Sequence, residues 1–229
     1  YDPANEYSVP YMWGTVGILY NKTMVKEPVD SWDILWDEKY KKQILMQDSQ
    51  RETIGVALQK LGYSLNTREL NELEEAKQEL IRQKPLVLAY VVDEVKDKMI
   101  SGEAALAVVW AGDAVTMIEG NPDLDYAVPK EGSNFFVDGM VIPKTSKHKK
   151  EAEMFINFMC EAETAFKNTD YIGYSTPHTE AKKMLDEDVA NDPVAYPSDD
   201  VIQSCEVYRD LDDMVKVYDR IWTEIKVAK

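Results

Sequence analysis

Histidine and cysteine are almost absent from this 229-residue chain, which carries two of each. Cys160 and Cys205 share no CxxC spacing, so neither a zinc site nor a redox dithiol is indicated, and each is expected as a core residue. His178 is expected at a helix entrance without a catalytic role, and His148, in SKHKKE, at the surface. There is no GxSxG elbow, HExxH helix, GxGxxG turn or Walker loop, and no cysteine has a plausible histidine partner. Long apolar runs are missing too. The longest, residues 104–111 and 135–143, are broken by charge or turn residues far short of the roughly 20 residues of a membrane helix. Positive charge is scarce: 26 basic residues face 42 acidic ones, for a net charge of -16. Such a surface repels nucleic-acid phosphate and anionic lipid and favours cations, although acidity by itself also serves solubility. No nucleic-acid partner is expected. No signal-peptide pattern, internal repeat or low-complexity tract is present; the chain opens on the turn-rich YDPANEYSVPY.

What is present is alternation. From Tyr11 short apolar runs (GTVGILYN, QILMQD, LVLAYVV, ALAVVW, LDYAVP) alternate with helical patterns (SWDILWDEKY, RETIGVALQKLGY, RELNELEEAKQELIRQ, DEVKDKMISG, AGDAVTMIEG). This predicts an α/β fold with a largely parallel sheet, followed after residue 147 by mainly helical chain. Ser31, Asn66-Thr67 and Ser198 read as N-caps with acids in the turn that follows, and Gly62, Gly102 and Gly120 as helix stops. Residues 67–83 put Leu70, Leu73, Ala76, Leu80 and Ile81 on one face of an outer helix. The extended segments ending at Pro10 and Pro129 suit strands passing between two lobes.

Four stretches hold candidate chemistry. In MQDSQRETIGV a strand runs into a helix, so Ser49 and Glu52 fall at the carboxyl end of a strand, where open α/β sheets place their ligand crevice. The same pair also spells a capping box, and both readings stand. Trp110 ends the ALAVVW strand and projects from the same sheet edge, unless it is simply core. In NFFVDGMVIP strict alternation puts Phe136 and Asp138 on one face and Phe135 and Val137 on the other. An ionisable residue in a run that looks built for burial needs a cation or backbone N–H donors, and no Lys or Arg lies within the run. Tyr174, in YIGYSTPH, sits in a Gly/Pro-defined loop ahead of a helix. A carboxylate pair such as Glu52 and Asp138 also admits a hydrolase reading.

Taken together, YSVPYMWGTVGILYN, SWDILWDEKYKKQILMQD, RETIGVALQKLGY, VVWAGDA, PKEGSNFFVDGMVIP, IGYSTPH and VANDPVAYP resemble, in order and spacing over essentially the whole chain, the polyamine-binding proteins of bacterial spermidine/putrescine ABC transporters. The resemblance implies a type II periplasmic-binding-protein fold: two lobes joined by hinge strands that close around a linear polyamine. It implies that Tyr1 begins inside the family sequence, with most of the first lobe missing. Residues 14–127 then form the second lobe, and residues 1–13 and 128–229 supply the hinge and returning strands and the carboxyl-terminal helices of the incomplete first. Carried over by position, Glu52 and Asp138 are ligand carboxylates, Trp110, Phe136 and Tyr174 aromatic walls, and Ser49 and Tyr208 polar contacts. Ser49 stands where a better-studied family pattern has aspartate, Phe136 where it has tryptophan, and Tyr208 where it has glutamine. The implied protein is a periplasmic or membrane-anchored extracellular binding component that serves an ABC permease, with no enzymatic activity, cofactor or metal. Self-association of an exposed half-core is a further expectation. A binding protein of the same fold for another small amine or solute is the alternative.

Overall fold

The computed structural model describes residue 2 and residues 4–228. Its organising element is β1 (Val9–Asn21), a strand of 13 residues whose second half is almost wholly buried. Residues 16–20 of β1 pair with β4 (Leu106–Trp110), residues 18–21 with β5 (Leu124–Ala127), and residues 9–15 with β6 (Phe135–Met140). β2 (Ile44–Gln47) lies between β4 and β3 (Val87–Val91), giving the order β3-β2-β4-β1-β5.

The sheet is mixed, which corrects the expectation of a largely parallel one. β2 is parallel to β3 and β4, whereas every pairing of β1 is antiparallel. The reason lies in the connections. Helical crossovers return the chain in the same direction: α1 (Gln50–Lys60) with α2 (Leu70–Gln83) between β2 and β3, α3 (Glu94–Ile100) between β3 and β4, and α4 (Ala111–Gly120) between β4 and β5. Between β1 and β2 there is no such helix. Residues 22–43 instead form turns, and SWDILWDEKY, which reads as a helix, is two 3-10 turns, Trp32–Trp36 and Glu38–Tyr40. Ser31 accepts from the Asp33 N–H and Asp37 from the Lys39 N–H, so a second cap restarts the chain before an α-helix can develop.

Alternation sorts the core. Val16, Ile18, Ile44, Met46, Leu106 and Val108 pack on one face of the sheet with Trp32 and Leu35. Leu19, Leu45, Ala107 and Val109 pack on the other with Met99, Ala114 and Met117 from α3 and α4. On α2, Leu73, Ala76 and Leu80 are buried as the periodicity predicts, but Leu70, the first helical residue, is exposed.

After β6 the chain is helical, as expected: α5 (Lys149–Met159), α6 (Ala162–Ile172), α7 (Thr179–Lys182), α8 (Glu187–Ala190), α9 (Asp199–Ser204) and α10 (Val215–Val227). α10 returns to pack Tyr218, Ile221 and Ile225 against Ile54 and Leu58 of α1 and Leu73 and Leu80 of α2. α5 buries none of its residues and presents Met154, Phe155 and Phe158 to solvent. Cys160 and Cys205 are half-buried free thiols at helix ends, not core residues as expected. Their neighbouring helices bury little apolar surface. His178 caps α7: its Nδ1 accepts from the Ala181 N–H. Among the described residues no helix is long and apolar enough to cross a membrane.

Candidate functional site

Adjacent parallel strands deliver the inner end of the site. β2 runs through Asp48 into α1, and Glu52 occupies the first turn of that helix. β4 ends on Trp110, which is also the residue that opens α4. β6 supplies Phe136 and Asp138 from one face, while Phe135 turns the other way and packs on Trp13, ring centroids 5.4 Å apart. Tyr174 follows α6 after Gly173, whose φ of 83° closes that helix in the left-handed conformation. Glu52, Trp110, Phe136, Asp138 and Tyr174 meet around one cavity of about 490 Å³, completed by Tyr11, Met12 and Ile172. That volume suits a small linear solute.

Two glycines seat the rings. A Cβ on Gly14 would stand 2.8 Å from Cζ of Phe136, and one on Gly112 would overlap the Tyr174 ring. The rings lie directly on backbone and against each other, edge-on, with centroids 6.1 Å apart. Asp113, one of the carboxylates acting on Tyr174, is paired with Lys96 at 2.9 Å. Burial and the neighbouring carboxylates raise the Tyr174 phenol well above its ordinary value, so it remains a neutral wall.

The two carboxyl groups differ in setting. Glu52 is 9% exposed, and burial pushes its pKa up; Tyr208, the Trp110 indole N–H and the Arg51 charge oppose that rise. Arg51 turns away from the cavity and stacks on Tyr208 and Tyr218, its guanidinium carbon 4.2 and 5.4 Å from their ring centroids. Asp138 sits at the exposed mouth. Partial desolvation raises its pKa, and among the described residues no cation pairs with it. The apolar run around Asp138 is not the buried strand its sequence suggests. No residue of β6 is fully buried, because one of its faces forms the cavity wall.

Two of the expected site residues stand outside the cavity wall. Ser49 opens α1 through its backbone, which accepts the Thr53 N–H at 3.0 Å, but its hydroxyl makes no cap bond. The capping-box alternative is therefore not realised, since the Glu52 carboxyl turns to Tyr208. Tyr208 lies behind Glu52, its hydroxyl oxygen 2.9 Å from Glu52 Oε2 and 2.9 Å from the Arg51 carbonyl oxygen. The sequence pattern does not single out Tyr11, Met12 and Ile172, which complete the cavity wall. Alternation would put Tyr11 and Met12 on opposite faces, but the β1–β6 register shifts between Pro10 and Met12, and both reach the cavity. Proline inside a strand was the available signal.

The arrangement has a carboxyl group at its inner end, a second at its mouth, and rings with Met12 and Ile172 between. It complements a solute with separated positive groups joined by apolar chain. Among the described residues no group of three metal-ligating side chains occurs.

A family model described as bacterial extracellular solute-binding protein matches residues 1–197. The chain is 36% identical over 230 residues to the spermidine/putrescine-binding periplasmic protein of Salmonella typhimurium, covering 100% of this chain and 66% of that protein. It therefore spans just under two thirds of that relative's length. Among solved structures, a putative spermidine/putrescine ABC transporter protein of Listeria monocytogenes superposes with a TM-score of 0.95 at 41% identity, covering 100% of this chain and 71% of that one. The spermidine/putrescine substrate-binding protein PotD of Streptococcus pneumoniae gives 0.88 at 42% identity, covering 99% and 71%.

Proposed function

The chain belongs to the bacterial extracellular solute-binding protein family, and on that premise we propose that it captures spermidine or putrescine as the extracytoplasmic binding component of an ABC importer. Its similar proteins carry polyamine-binding names, and the cavity chemistry agrees with that ligand class. The observation that carries the reading is the pairing of Glu52 and Asp138 on one aromatic-walled cavity, with no cation among the described residues drawn up to Asp138.

A polyamine at neutral pH bears ammonium groups separated by methylenes. Glu52 receives one ammonium at the inner end and Asp138 another near the mouth. Trp110, Phe136 and Tyr174 line the methylenes and contribute about 0.5–2 kcal/mol for each ring that faces an ammonium, with further gain from methylene burial. Tyr208 holds Glu52 from behind. In this reading residues 14–127 form one lobe, and the flanking segments carry the strands about which closure over the ligand occurs. The closed form delivers the ligand to a membrane permease, and no bond in the solute is broken.

Mass spectrometry of small molecules released on denaturing the purified protein tests this directly. Spermidine or putrescine at near-stoichiometric amount is expected; release of a neutral or anionic solute in their place would contradict it.

A further inference from the structure

After proline, glycine is the residue least favoured inside a helix, yet Gly55 lies buried in the middle of α1. Its backbone has no positive φ to account for the choice. Contact accounts for it. Gly55 stands three residues after Glu52 on the same side of α1, and a Cβ there would lie 3.0 Å from the Tyr208 hydroxyl oxygen and 2.8 Å from Cδ2 of Leu65. The same hydroxyl donates to Glu52 Oε2 at 2.9 Å and reaches the Arg51 carbonyl oxygen at 2.9 Å. It rests in a notch whose floor is the bare Cα of Gly55.

We propose that Gly55 and the Tyr208 hydroxyl are a matched pair that positions the Glu52 carboxylate for the inner ammonium group, with Gly55 acting only through Tyr208. The inference rests on the polyamine reading and adds to it the residue that sets where the inner carboxyl group stands. The crowding is selective within the tyrosine. A Cβ at position 55 would approach the hydroxyl oxygen to 3.0 Å but Cζ of the ring only to 4.0 Å, an ordinary van der Waals separation. A side chain there conflicts with the hydroxyl that holds Glu52 and leaves room for the ring that carries it. Gly55 and Tyr208 are thus positioning residues, and Glu52 is the group that meets the ligand.

Tyr208 has little freedom to give way. Its ring is stacked on Arg51, with the guanidinium carbon 4.2 Å from the centroid, and its chain segment is hydrogen-bonded on both flanks. On one flank the Asn66 side chain donates to the Val207 carbonyl at 3.0 Å and accepts the Arg209 N–H at 2.7 Å, while the Glu206 carboxylate accepts the Leu65 N–H at 3.0 Å. On the other, the Glu206 N–H donates to the Ser133 carbonyl at 2.8 Å and the Glu206 carbonyl accepts the Phe135 N–H at 2.9 Å. A segment tied in this way passes any displacement of the hydroxyl to the bonds the hydroxyl makes. Leu65 differs, because it meets the Cβ with the end of a flexible side chain that can turn aside. A shift of a few tenths of an ångström at the hydroxyl lengthens the bond to Glu52 and loosens the carboxylate.

A double-mutant cycle tests the pairing. In calorimetric titration with putrescine, Gly55→Ala is expected to lower affinity about threefold to tenfold and Tyr208→Phe about tenfold or more. Added to Tyr208→Phe, Gly55→Ala should have no further effect, since the atom it crowds is gone. Leu65→Val, which eases the other contact, should leave the loss from Gly55→Ala in place. Additive losses for Gly55→Ala and Tyr208→Phe, or recovery of affinity through Leu65→Val, would overturn the pairing. A second readout needs no ligand: 13C NMR of the protein labelled at glutamate Cδ, with Glu52→Gln as the assignment control. The Glu52 resonance should move in the same direction in Gly55→Ala as in Tyr208→Phe; a resonance unmoved by Gly55→Ala would overturn the proposal whether or not polyamines bind. A moved resonance in a protein that binds no polyamine would overturn the polyamine reading, and with it the role at the ammonium group, while the seating of Glu52 by the pair would stand.

Discussion

Gly112 carries the ring of Tyr174 directly on its backbone, at a position where a Cβ would collide with Cγ, Cδ2 and Cε2 of that ring. The contact joins the start of α4 to the loop that follows α6, two segments far apart in sequence, and it fixes one wall of the cavity. Closeness of this kind makes the wall sensitive to a single methyl group.

Gly112→Ala should therefore weaken polyamine binding about tenfold or more, since overpacking costs about 1–3 kcal/mol and the ring must move out of the wall. Alanine also favours a helix over glycine by up to about 1 kcal/mol, so thermal stability need not fall in step with affinity. Calorimetry and thermal melting measured together separate the two effects. Unchanged affinity would mean that the ring seat plays no part in binding.

Glu52→Gln should stabilise the ligand-free protein near neutral pH. Burial raises the Glu52 pKa above its unfolded value, so the folded state holds the proton more tightly. Stability from this group is then present below the unfolded glutamate pKa, near 4.3, and falls as pH rises through the interval up to the folded value. Glutamine has no such dependence. Melting temperatures of the two proteins should converge in acid and diverge toward pH 7, with the variant higher; the opposite ordering at pH 7 would show Glu52 to be stabilised as an anion.

Trp110→Leu and Phe136→Leu each keep apolar volume but remove a ring face. Roughly 0.5–2 kcal/mol is expected from each cation–π contact, a loss of about twofold to thirtyfold in affinity. Calorimetric titration of each variant with putrescine checks the loss, and unchanged affinity in both would contradict a ring contribution to binding.

Asp138→Asn isolates the mouth of the cavity. Affinity should fall most for a ligand long enough to reach both carboxyl groups, and the residual binding should lose its acid-side dependence on this exposed, partly desolvated group. A ligand with a single amine, held at Glu52, should respond least. Titrations of a diamine and a monoamine of equal length check the difference.

Much of this was legible in the sequence because it depends on local order. The strand-to-helix junction at Gln47–Gln50 put Glu52 at a sheet edge, the ALAVVW run put Trp110 beside it, and alternation in NFFVDGM paired Phe136 with Asp138. What escaped depends on direction and long-range contact. The reversal of β1 relative to β2 is set by residues 22–43, whose helix-like pattern becomes two separately capped 3-10 turns. Tyr11 and Met12 reach the cavity through a register shift that simple alternation does not contain. Tyr208 meets Glu52 from 156 residues away, and only packing reveals that it supports the carboxyl group from behind and does not line the cavity.

Calorimetric titration with putrescine and with 1,4-butanediol, which has the same carbon chain but no charge, tests the central claim most directly. Saturable binding of putrescine, no detectable binding of the diol, and loss of the putrescine signal in the Glu52→Gln, Asp138→Asn double variant are predicted. Equal binding of diamine and diol, or a double variant that binds putrescine as well as the original protein, would contradict the account.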